Sequence, residues 1–196
     1  MVQLQRVAVL CASSLGVRDA YVTAARGLVS ELARRGMGVV YGGASVGLMG
    51  VVADAALAAG LEVIGVIPRA LDAKELAHPG LTELHVVDSM HARKAMMAEL
   101  ADGFLALPGG FGTLGELAEV LTWAQLGLHD KPCGVLDVAG YFTPLVTFFD
   151  HAVAEGLLRR EHRSMLLVDD DPARLLEAFA TWRPPLVAKW IERSET

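Results

Sequence analysis

Apolar residues fall along the chain in short runs, each followed by a stretch in which they recur every three or four positions. A short run rich in Val, Ile and Leu, bounded by Gly, Pro or charge, predicts a strand buried on both faces. The three-to-four spacing predicts a helix with one apolar side. On this reading strands lie at 7–11, 38–41, 62–67, 84–87, 103–107, 132–136 and 165–168, and helices at 19–35, 48–59, 90–100, 113–126, 142–155 and 172–181. In the fourth helix Leu114, Leu117, Ala118, Leu121 and Leu128 keep one line, while Glu116, Glu119 and Trp123 keep another, so the two carboxylates share a face.

Strand and helix in alternation, with short connections, is the pattern of parallel βαβ units, whose right-handed crossovers lay helices on both faces of one sheet. The expected fold is therefore α/β: a single-domain, Rossmann-like, doubly wound and mainly parallel sheet spanning residues 1–196. The exception to alternation is 68–84, where Pro68, Pro79 and Gly80 interrupt the pattern and leave a segment long enough to fold over a ligand. No internal repeat is evident. The end after Pro184 and Pro185 reads equally as a docking helix or a loose tail.

Composition narrows the function classes. A 196-residue chain that is 53% hydrophobic and 20% charged has material for one sizeable core, and none of its apolar stretches approaches the ~20 residues of a membrane span. The opening MVQLQRVAVLCASS reads as a first strand rather than a secretory leader. Cys11 and Cys133, both in strand-like settings, make neither a disulfide framework nor a metal cluster, so a reducing cytoplasm is expected. A net charge of −6 without runs of Lys or Arg argues against nucleic-acid and anionic-membrane partners, but leaves room for a small anion bound locally.

In doubly wound sheets ligands bind beyond the carboxyl ends of the strands, which directs attention to four turns. After Leu107 the chain reads PGGFGTLGELAEV, where Gly109, Gly110 and Gly112 lead straight into a helix. Bare backbone and a helix N-terminus suit a phosphate, although a tight strand-to-helix turn is an even alternative. The segment lacks the GK[ST] of a P-loop and the glycine spacing of a dinucleotide fingerprint. Thr113 and Glu116 fit a capping box, the likelier role from spacing alone; the same carboxylate is also placed to meet a sugar hydroxyl or an attacking water. YGGASVGLMG carries Gly42, Gly43, Gly47 and Gly50, which could accept a phosphate or ribose edge although close helix packing is the plainer reading, and CASSLG offers Ser13 and Ser14 at the same rim.

DSMHARKAMMAE places Ser89 as a helix cap and His91, Arg93 and Lys94 in the early turns. Cations there oppose the helix dipole by a few tenths of a kcal/mol each, a conflict that an anionic ligand removes. The plainer alternative pairs Arg93 and Lys94 with Asp88 or Glu99 and leaves His91 as a hydrogen-bonded structural residue.

MHARK and PGGFGTLGE, with YGGASVGLMG, VIGVIP, LTWAQLGLHDKP and the GYF at 140–142 in the same order, resemble the Lonely Guy family of cytokinin riboside 5′-monophosphate phosphoribohydrolases, often mislabelled lysine decarboxylases. The resemblance covers nearly the whole chain. It implies hydrolysis of the N-glycosidic bond of an adenosine 5′-monophosphate, N6-modified or not, to free base and ribose 5-phosphate, without cofactor or required metal. It makes Arg93 and Glu116 catalytic. It makes Glu75, Lys94, Gly109, Gly110, Phe111, Gly112, Thr113, Leu114, Gly115, Ser14 and Gly43 substrate-contacting, and the protein at least a homodimer, with a hexamer as the alternative and the helix of Trp123 and Gln125 as a contact. Glu116 would stabilise positive charge on the ribose or activate water; the phosphate would sit at the glycine turn and the Thr113 hydroxyl. Arg93 would orient the site or offset charge. The chain departs from the family's usual pattern at Gly115, Ala44 and Ala12, where Glu, Gly and Gly are common.

Two other readings use the same residues. A non-catalytic nucleotide or molybdenum-cofactor carrier would keep the glycine turns without needing Glu116. A pyridoxal-phosphate decarboxylase would need a Schiff-base lysine, for which only Lys74, Lys94, Lys131 and Lys189 are present.

Overall fold

The computed structural model describes residues 4–72 and 76–185. The expected substrate contact Glu75 lies outside them, as does the tail beyond Pro185.

Seven strands form one sheet in the order β4-β3-β2-β1-β5-β6-β7. They are β1 Arg6–Leu10, β2 Gly38–Tyr41, β3 Val63–Pro68, β4 Glu83–Val87, β5 Gly103–Ala106, β6 Cys133–Leu136 and β7 Leu166–Asp169. Every pairing between them is parallel. The helices are α1 Asp19–Arg35, α2 Gly47–Ala58, α3 Arg69–Asp72, α4 Met90–Leu100, α5 Phe111–Leu126, α6 Thr143–Ala154, α7 Arg160–Arg163 and α8 Pro172–Ala180. The seven expected strands and six expected helices are all present, most with ends shifted by a residue or two.

Alternation along the strands divides the core in two. Val7, Val9 and Cys11 of the β1 segment pack with Leu28 and Leu32 of α1, Val52 and Ala56 of α2 and Phe179 of α8. Ala8 and Leu10 point the other way, to Met97 of α4 and Leu117 and Val120 of α5. Strands covered on both faces have no polar positions to spare, which is why they read as unbroken apolar runs. No helix among the described residues is long and apolar enough to cross a membrane.

The segment 68–84 is not one open loop. β3 runs into the single turn α3, and the chain returns as a strap in which Ser45 N donates to Leu76 O, His78 N donates to Gly43 O, and Ala77 bridges Ala44. His78 Nε2 lies 2.9 Å from Asp54 Oδ1 on α2, tying the strap to that helix.

Candidate active site

The sheet changes direction between β1 and β5: from β1 the chain adds β2, β3 and β4 on one side, then returns to add β5, β6 and β7 on the other. The carboxyl ends of those two strands therefore diverge, leaving a crevice of the kind in which α/β sheets hold ligands. A cleft of about 240 Å³ opens there, lined by Ser14, Leu15, Tyr21, Leu48, Gly109 and Tyr141 among others.

The start of α5 forms one wall. Its N-cap is Gly110 and no side chain caps its first N–H groups. The expected capping box does not form, because the helix starts at Phe111, two residues before the predicted start. Thr113 is thereby the third helical residue rather than the cap. It is turned inward and buried, and a Cβ at Gly109 would lie 2.0 Å from its Oγ1, so the turn closes this tightly only over glycine. The buried face of α5 runs through Thr113, Glu116, Leu117 and Val120, while Ala118 of the expected apolar line is exposed. The helix is apolar on nearly every side, so periodicity alone set its phase poorly.

α4 lies on the same face of the sheet as α5 and meets it through side chains. Ser89 caps it as expected, its Oγ accepting from Ala92 N at 3.0 Å. Arg93 and Lys94 do not pair with Asp88 or Glu99. Arg93 Nη2 lies 3.1 Å from Glu116 Oε1, Lys94 Nζ pairs with Glu119, and Asp88 is held by Arg69. The cations of α4 thus meet the shared carboxylate face of α5, which removes the conflict with the α4 dipole. His91 is exposed rather than structural.

Arg93 and Glu116 are both buried, with about a tenth of each side chain accessible. Arg93 spends one nitrogen on Glu116 and directs Nη1 at Met90 Sδ, 3.8 Å away, while its buried Nε has no hydrogen-bond partner among the described residues. A buried donor left open in this way fits a site that takes a further acceptor. Burial raises the Glu116 carboxyl above its ordinary value; Arg93 and Lys94 pull it back down and Glu119 adds to the rise. A carboxylate whose affinity for protons is raised in this way is a better proton acceptor than an ordinary one.

The remaining expected contacts divide by position. Gly110, Phe111, Gly112 and Gly115 are exposed at the head of α5, and nothing lies within 4 Å of a Cβ built at those three glycines. Leu114 is half-buried in the same turn, and Ser14 is exposed at the cleft rim. Gly43, at φ 77°, packs against Ile67 and Leu84 and anchors the strap through its carbonyl. The start of α2 is closed to a phosphate: Leu48 N donates to Ser14 O and Met49 N to Ala12 O, both at 3.3 Å. A Cβ at Gly47 would meet the Ser13 backbone at 2.2 Å, so packing is the reading that holds for that turn.

Two residues named in the sequence make contacts that the sequence did not reveal. Gly42 clears the space into which Arg93 reaches, since a Cβ there would lie 2.2 Å from Nη2. Tyr141 donates from Oη to Gly109 O at 2.8 Å. Both depend on pairings across 51 and 32 positions that local pattern does not carry.

Residues 49–179 match the family model described as "Possible lysine decarboxylase". A cytokinin riboside 5′-monophosphate phosphoribohydrolase from Rhodococcoides fascians is 51% identical over 84% of this chain and 84% of its own length. Its counterpart in Arabidopsis thaliana is 46% identical over 93% of this chain and 80% of its own. The chain belongs to the cytokinin riboside 5′-monophosphate phosphoribohydrolase family. Solved structures of molybdenum cofactor carrier proteins from Chlamydomonas reinhardtii (TM-score 0.67, 22% identity, 90% of this chain and 96% of that one) and Rippkaea orientalis (0.66, 19%, 92% and 98%) share the fold. At that identity the likeness is one of architecture, whereas the phosphoribohydrolases are alike in sequence as well. Among the described residues the decarboxylase description finds little in the lysines: Lys94 is paired with Glu119, and Lys131 Nζ donates to Ala98 O and Ala101 O, both at 2.6 Å, while Lys74 and Lys189 lie outside those residues.

Proposed function

We propose that the protein hydrolyses the N-glycosidic bond of an adenosine 5′-monophosphate, N6-modified or plain, releasing the base and ribose 5-phosphate. The observation that carries this reading is the buried Arg93–Glu116 pair, its carboxylate within the second turn of a helix whose N-terminus no side chain caps. In the reaction the C1′–N9 bond breaks with its electron pair leaving on the base, water oxygen bonds to C1′, and the proton released from water ends on the base. Positive charge builds on the ribose as the bond breaks, and the Glu116 carboxylate stabilises it and receives a proton from the incoming water. The uncapped N–H groups at Gly110 to Gly112 receive the 5′-phosphate, with the α5 dipole behind them. Arg93, with donors to spare, steers the substrate and holds Glu116 ionised. Thr113, Leu114, Gly115, Lys94, Ser14, Gly43 and Glu75 are proposed as contacts or supports around the same nucleotide.

We read the chain as one nucleotide-binding unit acting in the cytoplasm, with both cysteines free and buried. It pairs as a homodimer through the face of α5 and α6. α6 has no buried residue despite its apolar composition, Phe148 is 61% exposed, and a groove of about 170 Å³ between α5, α6 and α7 is lined by Leu121, Gln125, Phe149 and Leu158. A carrier role is supported by fold likeness alone and leaves Glu116 without a task.

Following base and ribose 5-phosphate release from AMP across pH tests the reading. The two products should rise in equal amounts, and kcat/KM should fall as pH drops through a value above the ordinary carboxylate 4.5, because burial makes Glu116 harder to ionise. Release of inorganic phosphate in place of base would mean phosphatase chemistry and overturn it.

A further inference from the structure

Between β6 and α6 the chain makes an abrupt turn whose backbone is unusual for this molecule. Ala139, at φ 52° and ψ 34°, is the single non-glycine residue with positive φ among those described, and Gly140 follows at φ 73°. Such a conformation is strained for a residue with a side chain and persists where its surroundings determine it. Here they do. Asp137 accepts from Phe142 N at 2.5 Å and from Thr143 Oγ1 at 2.7 Å, and Phe142 is fully buried.

The result of this bracing is the placement of Tyr141. Its ring meets Phe142 edge-on at 5.2 Å and Tyr21 of α1 edge-on at 5.7 Å. Tyr21 in turn occupies the space beside Gly16, where a Cβ would come within 2.7 Å of its ring. The Tyr141 hydroxyl then reaches the glycine turn and donates to Gly109 O. That carbonyl and the N–H of Gly110 belong to one peptide unit. A donor on the oxygen fixes the plane of the peptide and polarises it, so the N–H on the far side becomes a stronger donor. Gly110 is the N-cap of α5, and nothing fills the space where its Cβ would be.

We propose that Tyr141 is a positioning residue for phosphate binding, acting through the Gly109–Gly110 peptide rather than on the reacting atoms. The proposal rests on the phosphate lying at the head of α5, as the functional reading has it. It assigns to a strained turn on another element the task of aiming that helix terminus.

Tyr141→Phe keeps the ring contacts and removes only the donor. Inorganic phosphate and adenine serve as the two probes, each titrated calorimetrically against wild type and variant, with KM and kcat for AMP measured alongside. Loss of one neutral hydrogen bond behind the site should weaken phosphate binding and raise KM roughly 3- to 10-fold, leaving adenine binding and kcat within about twofold. Equal losses for phosphate and adenine would show general loosening of the cleft and overturn the proposal, as would unchanged phosphate binding or a fall confined to kcat. Tyr141→Ala, which also removes the ring, should weaken phosphate at least as much as Tyr141→Phe; an Ala variant that binds phosphate like wild type would overturn the proposal. Because binding is read directly, a wild-type protein that bound phosphate but released no base would defeat the functional reading and leave the Tyr141 result standing.

Discussion

A methyl group at Gly42 would lie 2.2 Å from Arg93 Nη2 and 3.1 Å from Met49 Sδ. Both neighbours are the mobile ends of long side chains, and Gly42 is not among the glycines with positive φ, so alanine fits the backbone and the guanidinium is what yields. Displacing Arg93 by even an ångström breaks its contact with Glu116 and spoils the alignment of the pair. Gly42→Ala should therefore lower kcat/KM about 100-fold and, because a buried ion pair is broken, lower the thermal midpoint as well, checked by kinetics and calorimetry on the same preparation. At this scale the sequence was readable in part. MHARK and PGGFGTLGE pointed to Arg93 and Glu116, and the two carboxylates of α5 were placed on one face. Their partners were not legible, because Arg93–Glu116 and Lys94–Glu119 are contacts between helices, and residue spacing within one helix says nothing about what the next helix presents. The capping box failed for a related reason: T-x-x-E is satisfied equally by a helix beginning at Thr113 and by one that has already begun at Phe111.

At the scale of elements, α1 is fastened to α8 by a charged cluster on the far side of the sheet from Glu116. Glu31 accepts from Arg34 Nη2 at 2.7 Å and Arg35 Nε at 2.8 Å, and Arg35 Nη2 reaches Ala173 O at the start of α8. Hydrogen bonds from the two arginines bring the Glu31 carboxyl down to about 2 from its ordinary 4.5. A carboxyl depressed in the folded protein contributes stability above its unfolded value and loses it as pH falls through the folded one. Glu31→Gln should cost about 1 kcal/mol at neutral pH, with the gap from wild type narrowing as pH falls from 4.5 toward about 2, measured by urea unfolding. A gap unchanged by acid would show that packing, not charge, holds that corner. The central strands were plain in the sequence, since β1, β2, β3, β5 and β6 are buried along nearly their whole length and leave short unbroken apolar runs. The 68–84 segment was less so: the strap over Gly43 is held by backbone bonds to residues more than thirty positions away, and these leave no periodic trace.

For the whole molecule, the parallel order and the reversal beside β1 place the cleft, while the outer face of α6 remains uncovered in the single chain. Exposed apolar surface of that kind is what a contact with another chain would cover. Light scattering should find a dimer, and Phe148→Glu, which puts a charge where the ring is 61% exposed, should shift it to monomer without unfolding it. A monomeric wild type, or a variant that still dimerises, would locate the contact elsewhere or remove it. The central claim concerns chemistry, and one assay reaches it directly. The protein is incubated with AMP and isopentenyladenosine 5′-monophosphate, with the corresponding nucleosides, and with Glu116→Ala as control, and free base is followed by chromatography. The account predicts base from the monophosphates alone, abolished in Glu116→Ala, with the faster monophosphate identifying the preferred base. Nucleotide recovered intact from the wild-type protein, or base release that survives the loss of Glu116, would contradict it.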